Sequence, residues 1–150
     1  MWICKKGNSK NTPNIILTTT TMKERSYKTA KNELDRVFAK FIKQRDSNKV
    51  HFVCISCDTP KPIDQFNAGH YFSRGALSIR WNEKNVNGQC ISCNKWKSGN
   101  IQGYEKGLIK KYGKDIIQEL EIKKAQSKKY ARFEMEILIK HYKSQIKDKI

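Results

Sequence analysis

Two cysteine pairs, Cys54-x2-Cys57 and Cys90-x2-Cys93, frame 32 residues of this chain. Zinc favours four soft ligands in a tetrahedron, and two such pairs supply them. Four thiolates leave no open position for water or substrate, so the pattern predicts a structural ion rather than a catalytic one. The energy of a closed site is folding energy, which lets a polar stretch such as 50–100 become ordered without a large core. The competing reading is four buried reduced cysteines, but the pairs stand beside Ser, Asp and Asn rather than inside apolar runs.

Inside this frame lie Ala68-Gly-His-Tyr71 and, closing it, the run from Asn85 to Asn94. His70 is the only histidine between the pairs. A neutral imidazole can take a proton from water near pH 7. Asn94 directly follows the last cysteine, at the expected start of a helix, and its side-chain oxygen suits a hard divalent ion such as Mg2+ or Mn2+. Asn85 is placed to hold the loop carrying His70 by bonding backbone groups. Phosphodiester hydrolysis needs these functions: an activated water, charge stabilisation at the phosphoryl group and help for the leaving oxygen. Each residue alone also reads as ordinary structure, a packed or capping histidine and two turn asparagines.

Together the residues resemble the His-Asn-His (HNH, or His-Me finger) nucleases. Matched residue by residue, the resemblance makes His70 the general base, Asn85 the middle asparagine and Asn94 the metal ligand, with Lys97 as a basic residue one turn into the helix. It implies a β-β-α core. Many such nucleases carry an Asp before the base histidine as second metal ligand, whereas this chain has Gly69; Asp64, Glu83 and Asn100 are the alternatives. A closer similarity is to the NinG/Rap family of phage recombination proteins. It is carried by Arg25-Ser-Tyr27, Cys54-Ile-Ser-Cys57, Ala68-Gly-His-Tyr71, the segment from Leu77 to Asn85, Gln89-Cys90, Cys93-Asn94, Lys97-Ser-Gly-Asn100 and Tyr104, and it covers roughly residues 24–150. Gly69-His70 looks like that family's own form. The resemblance implies a metal-dependent, structure-specific endonuclease acting on branched DNA such as Holliday junctions and D-loops, in a phage-infected or prophage-carrying bacterial cell. Family members can carry a further cysteine-rich amino-terminal segment, of which only Cys4 is present here.

The charge fits such a partner. Thirty-one Lys and Arg against 14 Asp and Glu give +17, a field that concentrates polyanions without by itself arguing for catalysis. Arg74, Arg80, Lys84, Lys95 and Lys97 surround the proposed site in sequence and are the candidate phosphate contacts, while Lys110, Lys111, Lys123, Lys124, Lys128, Lys129 and Arg132 extend the field. Such groups position a backbone and read no bases. Trp81 and Trp96 are candidates to stack on unpaired bases; Trp81 is expected to pack in the core against the zinc module, while for Trp96 both readings stand. A non-catalytic zinc-supported binder of DNA or RNA is the alternative function. Neither a secretory signal nor a span of about 20 apolar residues is present, which predicts a cytoplasmic chain, and in that compartment the cysteine pairs read as metal ligands.

These residues need elements to hold them, and the expected class is α+β: a zinc-stabilised β-β-α core with flanking amphipathic helices. Residues 1–23 read as a flexible arm with Cys4 a free thiol, and 24–150 as one domain, its core at about 50–103 and its C-terminal helices at about 104–150. Apolar residues from Tyr27 to Ile42 recur at helical spacing, predicting a helix over about 27–45. Strands are expected at His51–Cys57, His70–Phe72 and Leu77–Trp81, with a turn at Asp58–Pro62. A helix from Asn94 is expected to break at Gly99 or Gly103, and another to stop at Gly113. Met135, Leu138, Tyr142, Ile146 and Ile150 form one stripe. That stripe must lie on the body of the domain or on a second copy, so a homodimer joined there is one of two arrangements it predicts.

Overall fold

The long apolar helical pattern becomes α1, Tyr27–Asp46, in the computed structural model, which describes residues 25–146. Residues 1–24 and 147–150, with the expected arm, Cys4 and Ile150, lie outside the described residues. Ser26 caps α1 by accepting the Thr29 N–H at 3.2 Å. Ala30, Leu34, Val37, Phe38 and Ile42 form its buried face. The other helices are α2, Ile101–Tyr112; α3, Ile116–Ala125; and α4, Arg132–Gln145. Glu134 accepts the Ala131 N–H at 2.7 Å at the start of α4.

Two antiparallel strand pairs complete a mixed α and β fold. β1, His51–Val53, pairs with β2, Pro60–Pro62, and the first cysteine pair occupies the connection between them. β3, Phe66–His70, pairs with β4, Val86–Cys90, in the register Phe66 to Cys90 and His70 to Val86. Prolines are tolerated in β2 because this ladder is only two strands wide.

The β3–β4 hairpin lies between two helical layers. Phe66, Ala68 and Val86 pack on a core built by α1 and α4, which includes Leu34, Phe38, Met135 and Ile139. Asn87, on the alternate register of β4, reaches the Tyr104 hydroxyl of α2. A second cluster joins α2 and α3 through Tyr104, Leu108, Ile116 and Leu120. Among the described residues, no helix is long and apolar enough to cross a membrane.

Several sequence expectations change. His70 ends a strand rather than beginning one, and Leu77–Trp81 is not a strand: Leu77–Ile79 forms a 3-10 turn. The reason is that β3 already pairs with β4, so the intervening segment loops out and buries Ile79 in the α2–α3 cluster. The expected turn at Asp58–Pro62 contains β2. After Cys90 the chain makes a π-helical turn, Ser92–Trp96, and the break falls at residues 98–100, all at positive φ. Gly103 does not break the helix. The α4 stripe lies on α1 within the chain: Met135 and Tyr142 are buried, Leu138 and Ile146 pack at the edge, and Ile139 joins them.

Gly103 and Gly107 are needed for closeness. A Cβ on Gly103 would stand 2.1 Å from the Ser56 carbonyl oxygen, and one on Gly107 1.9 Å from that of Ile55. α2 therefore rests directly on the backbone of the first cysteine knuckle. Gly107→Ala should lower stability by about 1–3 kcal/mol by forcing that contact apart, although alanine alone favours a helix by about 1 kcal/mol. Urea unfolding of the two proteins checks this, and a stabilised variant would mean that α2 does not bear on the knuckle.

Candidate functional site

The cysteine cluster is assembled by hydrogen bonds as well as by sequence spacing. The Ile55 N–H donates to the Gly88 carbonyl at 2.9 Å, tying the first knuckle to β4. The Cys90 N–H donates to Cys54 Sγ at 3.3 Å, and the Asn100 amide to Cys93 Sγ at 3.4 Å. Such N–H···S bonds stabilise thiolates. All four sulfurs lie within 4.8 Å of one another, and among the described residues this is the one group of three or more His, Cys, Asp or Glu that could hold a metal. A tetrahedron with metal–sulfur bonds of about 2.3 Å has edges of about 3.8 Å, so the cluster fits a four-thiolate ion with small adjustment. Burial pushes the Cys54 thiol up to about 12. It acts on Cys57 in the same sense, but bonds to Thr59 and Cys54 outweigh it and bring that thiol down to about 7.

His70, half-buried at the end of β3, places Nε2 3.1 Å from the Arg80 carbonyl oxygen. Burial, aided by the positive charges of Arg74 and Arg80, lowers its pKa to about 4; the Arg80 and Ala68 carbonyls pull the other way and lose. The ring is therefore neutral at pH 7. A neutral imidazole has one N–H, the Arg80 carbonyl takes it at Nε2, and Nδ1 keeps the lone pair a base needs.

Asn85 is fully buried and acts on the loop after His70. Its amide N–H groups donate to the Phe72 and Ile79 carbonyls at 3.0 and 3.2 Å, while its side-chain oxygen accepts the Phe72 N–H at 2.8 Å. Its own carbonyl accepts the Tyr71 N–H at 2.9 Å. Asn94 sits on the π-helical turn and lines a cleft of about 380 Å³ with Asn67, Ala68 and Arg74, facing α1. Arg74 links the two parts: its charge bears on the His70 ring, and its side chain lines the cleft of Asn94.

The other basic candidates divide. Lys95 and Lys97 are exposed on or beside the turn that carries Asn94, and Trp96 between them is 80% exposed. Arg80 is turned inward, bidentate on Asp35 at 2.9 and 2.6 Å and bonded to the Arg74 carbonyl, with its side chain only 12% exposed. Trp81 donates to the same carboxylate and is buried in the core. Lys84 pairs with Glu119 at 2.7 Å and lines a different cleft. Sequence position alone could not separate these roles, because they follow from carboxylates far along the chain, Asp35 for Arg80 and Glu119 for Lys84.

Gly69 has a local cause. A Cβ there would fall 2.2 Å from Oε1 of Gln89, whose amide bonds Ser56 Oγ at 2.7 Å and the Gly99 carbonyl at 2.5 Å. Gln89 thus fills the space that an aspartate at position 69 would need. The sequence carried no signal for this. None of the alternative ligands lines the cleft: Asp64 is exposed on a separate turn, the Glu83 carboxylate accepts the Tyr142 hydroxyl, and Asn100 bonds the knuckle. Among the described residues the cleft is lined by the amides Asn67 and Asn94 and by no carboxylate, so it makes no complete cage for a hard divalent ion.

A family profile described as Bacteriophage Lambda NinG protein matches residues 5–149. The chain is 40% identical over 82 residues to protein ninG of Escherichia phage lambda, covering 54% of this chain and 38% of that protein. It is 39% identical over 82 residues to the ninG proteins of Escherichia phage 933W and Salmonella phage P22, covering 54% of this chain and 39% and 38% of theirs. The matched part thus spans about two fifths of the length of these curated relatives. No solved structure matches the chain.

If Gln89 is what excludes a side chain at position 69, the two positions are coupled. Gly69→Ala should cost about 1–3 kcal/mol in the native background and distinctly less beside Gln89→Ala. Denaturation of the four proteins of this cycle measures the coupling; strictly additive losses would remove Gln89 as the cause.

Proposed function

The chain belongs to the bacteriophage lambda NinG family, and on that premise we propose that it is a metal-dependent, structure-specific DNA endonuclease that hydrolyses phosphodiester bonds in branched recombination intermediates such as Holliday junctions and D-loops. The observation that carries the reading is a histidine held neutral at the end of β3, linked through Arg74 to a cleft that also holds Asn94. In this reading β3, β4 and the turn after Cys93 form an HNH-like β-β-α core, clamped by a structural Zn2+ on Cys54, Cys57, Cys90 and Cys93. The work is done in the cytoplasm of a phage-infected or prophage-carrying bacterium.

His70 Nδ1 takes a proton from water, and the hydroxide so formed attacks phosphorus while the bond to the leaving 3'-oxygen breaks. Arg74 stabilises charge on the phosphoryl oxygens, with Lys95 and Lys97 holding flanking phosphates. Asn85 acts at one remove, keeping the loop after His70 in place. Arg80 likewise positions rather than binds: Asp35 fixes its side chain, and its carbonyl fixes the His70 tautomer. Asn94 would hold the Mg2+ or Mn2+ together with phosphate oxygens and water. Such an ion would supply charge neutralisation at the phosphoryl group and the leaving oxygen. Paired nicks in a junction call for two copies; the α4 stripe is already buried on α1, so a homodimer would use another surface.

The lack of a carboxylate in the cleft favours a second reading, a zinc-supported nucleic-acid binder that does not cleave. Cleavage of a labelled four-way junction and its linear duplex, with Mg2+ or Mn2+ and with EDTA, separates the two. Metal-dependent cuts are expected in the junction, lowered by about 10²-fold or more in His70→Ala, with junction affinity kept. Since the base must be neutral and its pKa is lowered to about 4, the rate should be flat through neutrality and fall only as pH approaches that value. Tight binding without cuts under every metal condition would establish the binder instead.

Elemental analysis should find one zinc per chain, and removing it with a chelator should abolish cooperative thermal unfolding. A metal-free chain that melts as sharply as the metallated one would overturn the structural zinc.

A further inference from the structure

The solvent side of α1 carries Arg36, Lys40 and Lys43, spaced i, i+4 and i+7 and so stacked on one face of the helix. They line the Asn94 cleft opposite Arg74. Lys40 and Lys43 also line a neighbouring cleft of about 450 Å³ that continues past the end of α1 to Lys49. Among the described residues, no aspartate or glutamate lines either cleft. Arg36 is paired with Glu33 at 2.9 Å, so Lys40 and Lys43 carry most of the uncompensated charge. Lys43 is held over the Phe66 ring at 5.9 Å, which orients its ammonium group without neutralising it. Asn67, which lines the first cleft, has a buried side-chain N–H2 with no acceptor among the described residues.

Two joined clefts lined by cations and amide donors, with one donor unpaired, fit a polyanion. We infer that this face of α1 is a phosphate track, in which Lys40 and Lys43, with Arg36 and Arg74, hold the backbone of the nucleic-acid strand that enters the Asn94 cleft. The choice of a DNA strand as occupant rests on the nuclease reading above. From Arg36 to Lys43 the helix rises about 10 Å, longer than the gap between neighbouring phosphates of one strand. The track thus contacts several phosphates and reads no base. α1 thereby has two jobs on opposite faces: its apolar side supports β3, and its basic side guides substrate towards the cleft below it.

The test is equilibrium binding of a four-way junction and its linear duplex by the full chain, with EDTA present so that no cleavage intervenes, over a range of salt. Lys40→Ala/Lys43→Ala is compared with Lys106→Ala/Lys114→Ala, which removes the same charge from exposed positions lining neither cleft. The α1 pair should bind at least about 10-fold more weakly and lose about 1.5–2 units of salt slope, as expected for two phosphate contacts. The control pair should change affinity less than about threefold and leave most of the slope. Equal effects of the two pairs, or an α1 pair that binds as the wild type does, would overturn the track. A wild-type chain that never cleaves, yet whose binding depends on Lys40 and Lys43, would defeat the nuclease reading and leave the track standing. Circular dichroism of each variant confirms that fold is unchanged, as expected for exposed side chains.

Discussion

The first cysteine knuckle touches almost everything that matters in this molecule. Its Ile55 N–H bonds β4, its Cys54 sulfur accepts from Cys90, and its Ile55 and Ser56 carbonyls lie where side chains on Gly107 and Gly103 would be. The knuckle therefore sets the distance between the hairpin and α2. Four thiolates on one ion would lock the same arrangement through bonds far stronger than any of these contacts. The turn that follows Cys93 inherits its position from this junction, and so does Asn94, one residue further on.

Buried charge is handled by pairing, and the pairs do positioning work. Asp46 lies against β4, accepting the Gly88 N–H at 2.8 Å, Arg45 at 2.7 and 2.8 Å, and Lys111 at 2.9 Å. Burial raises its pKa and the cations more than reverse that, leaving it below the usual carboxylate range. Asp35 behaves likewise towards Arg80 and Trp81. Removing one partner from such a set strands the other charge in a poor solvent. The Asp35 pair has a second consequence, since the Arg80 carbonyl it holds faces His70. A chain of contacts thus runs from an α1 carboxylate to the tautomer of a strand-end histidine.

Electrostatics and burial divide the labour around Arg74, which bears on His70 and lines the Asn94 cleft. Burial makes His70 neutral, and nearby arginines reinforce this because a second positive charge is unfavourable beside them. Of these two arginines only Arg74 lines the Asn94 cleft, where it leaves the wall attractive to an anion. An uncharged imidazole beside Arg74 does not oppose an anion there, whereas a carboxylate in the same place would repel it.

Much was legible in the sequence, wherever the signal was local. Cysteine spacing picked out the four sulfurs that the fold gathers into a cluster able to hold a metal, because two cysteines three residues apart can reach one point wherever the knuckle lies. The α1 period and the stop at Gly113 follow from side-chain type over a few residues, and the structure has α1 over Tyr27–Asp46 and ends α2 before Gly113. The charge excess follows from composition. Tertiary structure decided the rest, because those outcomes depend on contacts between residues far apart in the chain. Leu77–Trp81 has an apolar pattern that suits a strand, but β3 had a better partner in β4. Arg74 and Arg80 look alike in sequence, and only the Asp35 carboxylate 45 residues before Arg80 turns one inward and leaves the other at the cleft. Gly69 could be read as a lost ligand until Gln89 was seen to occupy its space. Periodicity, spacing and charge are properties of neighbours along the chain; which cation faces a cleft, and which side chain fits beside another, is settled by packing in three dimensions.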